Sequence, residues 1–188
     1  NDTTFTNTVN FGTAQLSVTG GNNTDNITIT APSITASSIT CTDNNSSYLE
    51  LNAAGGISIS GDIGSNTNEY KVVKLDAGSN SISVGGHIYT SNIDVTCASV
   101  TFNDAIYVGS VAIHAGTVSI NGLESNSLSI DSGATSIKMG GTIKLSSDFI
   151  IDYPLVLIAD DTSFDITGKI IVKNDTKTGS IDSDAAAT

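Results

Sequence analysis

The sequence predicts an all-β chain, a right-handed parallel β-helix (solenoid) of about eight coils with three short strands per coil. Three observations predict it. One element recurs along the chain: an apolar strand, a short corner often built on Ala-Gly, and a second alternating strand. The strands are short and alternate strictly, as in Ile57-Ser58-Ile59-Ser60 and Val118-Ser119-Ile120, so that one face is buried and the other wet. Charged residues make up only 14%, and the polar surface comes instead from Ser, Thr, Asn and Gly, which favour turns and exposed strand faces over helices.

Taken in order, the first clear copy is Ile34-Thr35-Ala36-Ser37-Ser38-Ile39-Thr40-Cys41, which aligns with Val95-Thr96-Cys97-Ala98-Ser99-Val100-Thr101-Phe102. Between them come Leu49-Glu50-Leu51-Asn52-Ala53-Ala54-Gly55-Gly56-Ile57 and Val72-Val73-Lys74-Leu75-Asp76-Ala77-Gly78, the latter leading to Ile82-Ser83-Val84. Val111-Ala112-Ile113-His114-Ala115-Gly116 and Leu128-Ser129-Ile130-Asp131-Ser132-Gly133 continue the series. The last apolar residue before each corner reads Val18, Ile34, Leu51, Leu75, Val95, Ile113, Ile130 and Leu157, at intervals of 16, 17, 24, 20, 18, 17 and 27 residues. Such variation suits a solenoid, because extra residues can loop out of one corner without disturbing the stack.

A second corner and a third strand follow in each copy, as in Gly61-Asp62-Ile63, Gly85-Gly86-His87-Ile88, Asn121-Gly122-Leu123, Gly140-Gly141-Thr142-Ile143 and Gly168-Lys169-Ile170. Tight corners between strands often need positive φ, which Gly reaches without a Cβ clash. A narrow interior of repeated coils favours β-branched aliphatics, in keeping with an aromatic content of 5%; Phe102, Phe149 and Phe164 are expected where a corner widens. Residues 1–173 read as one β-helical segment and 174–188 as a polar tail or cap.

Composition narrows the function. A net charge of -12 repels nucleic acid phosphates, so nucleic acid is not an expected partner. Every basic residue is a Lys, and without Arg the chain lacks the usual bidentate clamp for phosphates and carboxylates. The longest apolar run, Pro154 to Ala159, is far too short to span a bilayer, which leaves membrane attachment to parts of a parent protein outside this chain. Opening at Asn1 without a start Met or signal peptide, the chain reads as a processed or excised fragment. Cys41 and Cys97 form no zinc pattern; a disulfide requires that the fold bring them together, and two buried thiols are the other reading.

Sites for chemistry are not assigned: catalytic, cofactor-binding and metal residues are all expected to be none. A calcium roll needs GGxGxDxUx in tandem, which Gly55-Gly56 and Gly85-Gly86 do not continue; Asp62 and Asp160-Asp161 read as solvated loop carboxylates. The densest acidic group, Asp152, Asp160, Asp161 and Asp165, reads as corner and surface solvation. His87 falls at a corner and His114 at an outward strand position, both as surface residues. Thr28, Thr30, Thr40, Thr42 and Thr96 invite an ice-binding ladder, but Thr-x-Thr is not repeated on successive coils. Sequons stand at Asn1, Asn22, Asn26, Asn44, Asn45 and Asn174, and in a chain so rich in Asn, Ser and Thr chance supplies most of them. Gly61 to Lys71 and Lys144 to Tyr153 break the period and are the places to look for binding.

The segments from Leu49 to Gly168 resemble the passenger regions of autotransporters and filamentous-haemagglutinin-like bacterial surface adhesins. The strand phrase Leu128-Ser129-Ile130, the stretch Val100-Thr101-Phe102-Asn103-Asp104-Ala105-Ile106 and Gly140-Gly141-Thr142-Ile143 carry the resemblance. It implies a β-helical stalk exported to the bacterial cell surface, outer-membrane-associated or secreted, that serves adhesion, aggregation or display. The expected function is therefore a non-catalytic structural or adhesive segment presenting binding surface. Its expected partners are a surface glycan or protein of a host or neighbouring cell, or another copy of itself. The alternative is a carbohydrate-active or carbohydrate-binding β-helix, which would show a groove lined by convergent carboxylates and aromatics.

Overall fold

A computed structural model describes residues 2–4, 9–11, 15–18, 26–42, 44–130, 136–151, 156–172 and 180–182. All regular structure among them is β, and every registered strand pair is parallel. The chain is a parallel β-solenoid, and the eight coils expected from the repeats are approximately right.

Three ladders form its sides. The first stacks β1 (Asp2–Thr4), β4 (Asn26–Ala31), β7 (Tyr48–Ala53) and β9 (Tyr70–Asp76), then passes to β11 (Ile88–Phe102) and β12 (Ile106–Ile130). Higher up, β14 (Phe149–Ile151) pairs with β16 (Ile170–Val172). The second ladder joins β2 (Val9–Asn10), β5 (Ile34–Ala36), β8 (Ile57–Ile59) and β10 (Ser81–Val84) to β11 and β12. It continues through β13 (Ser136–Leu145) and β15 (Val156–Ile166) to β17 (Ser180–Asp182). The third begins with β3 (Gln15–Val18) on β6 (Ser38–Cys41), and runs on through Ile39, Ile63, Ile88 and Ile106.

Alternation puts every second side chain inside, and like stacks on like. On the first side Ile29, Leu51, Leu75, Val95 and Ile113 form one column. On the second, Ile34, Ile57, Ile82, Val100, Val118 and Ile137 form one column, with Val9 in register below it and Leu157 and Ile181 in register above. The described members of these columns from Ile29 to Ile137 are no more than 4% exposed, so the aliphatic columns fill the interior. This burial is the main favourable term, at about 25 cal/mol per Å² of apolar surface removed from water.

The columns correct the sequence alignment. Leu51, Leu75, Val95 and Ile113 are true equivalents, but Ile34 and Leu157 belong to the second side and Val18, stacked on Cys41, to the third. All three sides carry the same alternating aliphatic code, so periodicity finds the strands without saying which side each one builds. Phe102 and Phe149 are buried at strand ends, and Phe164 lies within a strand, over Ile143.

Corners are tight in the later coils: β11 bends through all three sides in constant register with β12, and β12 runs through a full turn and more, with a register shift against β13 between Asn121 and Leu123. In two earlier coils the corner from side three to side one carries excursions, residues 44–47 and 64–69 among those described. These stack on one another, Asn45 N–H donating to Glu69 O at 2.7 Å and Glu69 N–H to Asn44 Oδ1 at 3.2 Å. From Ile88 onward the same corner shrinks to Ser91, Gly109 and Asn126. The expected excursion at Lys144 to Tyr153 is not one in its described part, where residues 146–148 form a short corner before β14.

Asp side chains tie successive coils at two different corners, Asp62 between sides two and three and Asp148 between sides three and one. Asp62 Oδ1 accepts the His87 N–H at 2.8 Å, and Asp148 Oδ1 accepts the Lys169 N–H at 2.9 Å. Gly precedes the donor in both cases because a Cβ on Gly86 or Gly168 would collide with that carboxylate and the backbone beneath it.

Candidate functional site

Outward positions of side three come together where the excursions end. Ile88-Tyr89 stacks on Ile106-Tyr107, so the pleat buries both Ile residues and turns both Tyr rings outward. The rings lie 5.2 Å apart at an interplanar angle of 9°, an offset-stacked pair. Beneath Tyr89 is Gly64, at φ +75°, whose missing Cβ leaves room for the Tyr89 carbonyl. His87 leans against both rings, its centroid 5.9 Å from Tyr89 and 5.7 Å from Tyr107. Tyr107 is the large hydrophobic side chain left exposed among the described residues, at 38%.

Two carboxylates brace this cluster. His87 Nδ1 lies 3.6 Å from Asp62 Oδ1 in the coil below, and Nε2 lies 3.4 Å from Asp104 Oδ1 in the coil above. Partial burial, then Tyr107 and the charges of Asp62 and Asp104, hold the Tyr89 phenol above its ordinary pKa. The Tyr pair is pinned in place by an imidazole bridging three coils.

Beside the rings runs a groove of about 420 Å³ along the corner between sides three and one. Its wall contains Glu69, Ser91, Tyr107, Glu124 and Ser146, one from each of five successive coils. Excursion 64–69 closes the lower end and contributes Glu69, whose Oε1 lies 3.5 Å from Ser91 Oγ. Gly109 belongs to the same surface, and a Cβ there would meet the Ser91 carbonyl at 2.6 Å. Ser125 is buried behind it, its hydroxyl facing Ser127 O at 2.9 Å. Above Tyr107 the outward charges alternate: Lys144 Nζ contacts Glu124 Oε1 at 3.0 Å, and Lys144 stands in register with Asp165.

Other expected residues are placed as follows. Asp62 is engaged by His87, and His114 faces Asp94 at 3.6 Å from an outward strand position. Asp165 is exposed in β15; the side chains of Asp160 and Asp161, and Asp152 altogether, lie outside the described residues. Among the described residues no group of three or more His, Cys, Asp or Glu is arranged to hold a metal ion. The outward column through Thr30 reads Thr4, Thr30, Asn52, Asp76, Thr96, His114, and the one through Thr28 carries Glu50, Lys74 and Asp94, so the Thr ladder is broken. Cys41 and Cys97 are buried thiols on different sides, stacked on Val18 and Ala115, and do not form a disulfide. Asn44 and Asn45 are exposed in a turn, Asn26 lies in β4, and Asn1, Asn22 and Asn174 fall outside the described residues.

Sequence reasoning missed the Tyr pair. The signal was present as Ile-Tyr repeated at 88–89 and 106–107, one coil apart, in a chain with five Tyr. Glu69 was reachable only through the excursion that holds it. Compared with known proteins, the chain matches no family model, no curated protein and no solved structure.

Proposed function

We propose that the chain is a non-catalytic structural or adhesive segment of a secreted or bacterial cell-surface protein, a stiff stalk that presents binding surface. The second ladder carries this reading, because parallel register continues from Val9 to Ile181 and makes one rod. The resemblance to autotransporter passengers and haemagglutinin-like adhesins supports the same setting. Partners in this reading are a glycan or protein on another cell, or a second copy of the chain.

The test is adhesion. Beads coated with the chain should retain epithelial cells or neighbouring bacteria, and soluble chain should compete. Absence of retention on every surface tried would count against the adhesive half of the reading. New reducing ends after incubation with a panel of polysaccharides would count against the non-catalytic half. The carbohydrate alternative draws on one observation, the Tyr107 ring beside a groove that also holds Glu69 and Glu124.

A further inference from the structure

We propose that the groove at the corner between sides three and one binds an uncharged, extended oligosaccharide whose chain runs parallel to the solenoid axis. The inference rests on the reading of the chain as a stalk that presents binding surface, and it names the class of ligand.

Shape comes first. The groove takes one wall residue from each of five coils, so with coils about 4.8 Å apart it extends roughly 19 Å along the axis. That suits several pyranose rings in line better than a single compact molecule. Its volume of about 420 Å³ falls within the range of small-ligand sites.

Chemistry selects the ligand. A pyranose offers an apolar C–H face and a rim of hydroxyls. Tyr107 supplies the partner for the face, and its stacking on Tyr89 and His87 fixes the ring before any ligand arrives, so little side-chain freedom is lost on binding. Glu69 and Glu124 accept from sugar hydroxyls, while Ser91, Asn126 and Ser146 can donate or accept. No Lys lines the groove, and the chain carries a net charge of -12, so uronic acids, sulfated sugars and phosphates are repelled.

Cellohexaose and xylohexaose are the neutral probes and hexagalacturonate the acidic control, titrated by calorimetry into the whole chain. At least one neutral hexasaccharide should bind. Tyr107→Ala should weaken that binding at least tenfold, and Tyr107→Phe should retain it. Tyr107 is exposed, so the far-ultraviolet dichroism and melting temperature of Tyr107→Ala should match the parent and exclude misfolding as the cause. Glu69→Gln should narrow the gap between neutral and acidic probes.

No binding of either neutral probe at millimolar concentration would overturn the proposal. So would equal affinity for hexagalacturonate, or affinity indifferent to Tyr107→Ala. Bound hexasaccharide recovered as shorter sugars would leave the groove standing and remove the non-catalytic reading; intact sugar with no binding would do the reverse.

Discussion

Gly86 holds its place because the carboxylate of the coil below occupies the space a side chain would need. Asp62 takes the His87 N–H there, and an added Cβ would meet both that carboxylate and the Gly61 backbone. Overpacking against backbone costs about 1–3 kcal/mol, so Gly86→Ala should lower the unfolding free energy by that amount, read as a lower urea midpoint with an unchanged m-value. Gly78→Ala is the control: nothing lies within 4 Å of its Cβ, and only a φ of +55° opposes the change. Equal losses at the two positions would show that crowding is not the reason for Gly86.

A second residue-scale effect concerns Cys97, whose thiol is pushed up to about 11 by burial first and the charge of Asp76 second. The folded chain keeps this proton where the unfolded chain, with an ordinary value of 9.0, releases it. Its contribution to stability is therefore whole below pH 9.0 and is lost as pH rises from there towards 11. Cys97→Ala, which places on this column the residue that Ala115 already provides above it, should flatten the alkaline fall in melting temperature. Alkylation by iodoacetamide should be slow in the folded chain and fast in urea. Rapid alkylation without denaturant would contradict the buried thiol.

At the scale of the element, strands were legible and their sides were not. Ile57-Ser58-Ile59 and Val118-Ser119-Ile120 alternate as written and stack as written. Ile34 was grouped with Leu51 although it stacks on Ile57, because a column is a relation between coils and the local code is the same on every side. The candidate site was hidden for the same reason. Tyr89 and Tyr107 are neighbours only through register, and Glu69 reaches the groove on an excursion whose path no periodicity describes.

Excursions and tight corners should also differ in tolerance. Two residues inserted after Thr67 lengthen a solvent-facing loop, and doubling a loop costs only about 0.6 kcal/mol in closure entropy. The same two residues inserted between Gly109 and Ser110 interrupt β12, where Val108 pairs with Thr90 and Ser110 with Asn92. Thermal melts should separate the variants clearly, the first close to the parent and the second well below it. Similar melting temperatures would mean that the corner at Gly109 is as loose as the excursion.

The whole molecule is a stack in which each coil contacts chiefly the coils above and below, so it should shorten by one coil and still fold. Asn92 pairs with Ser110 and Val95 with Ile113, a constant offset of 18 residues. Deleting residues 92–109 joins Ser91 to Ser110 and sets Val111 on Val73, Ile113 on Leu75, Val118 on Ile82 and Ile120 on Val84, pairs that the columns already place on the same sides. The shortened chain should keep its β dichroism per residue and melt lower, having lost one coil and one interface. Deleting only residues 92–100 is the discriminating comparison, for it removes fewer residues yet puts Asp104 at the inward position of Val95. An unpaired carboxylate in that aliphatic column is far more costly than a missing coil, and this variant should lose its structure although it is the longer of the two. Were both deletions to unfold, the coils would not be interchangeable units; were both to fold, the inward column would not be what holds them.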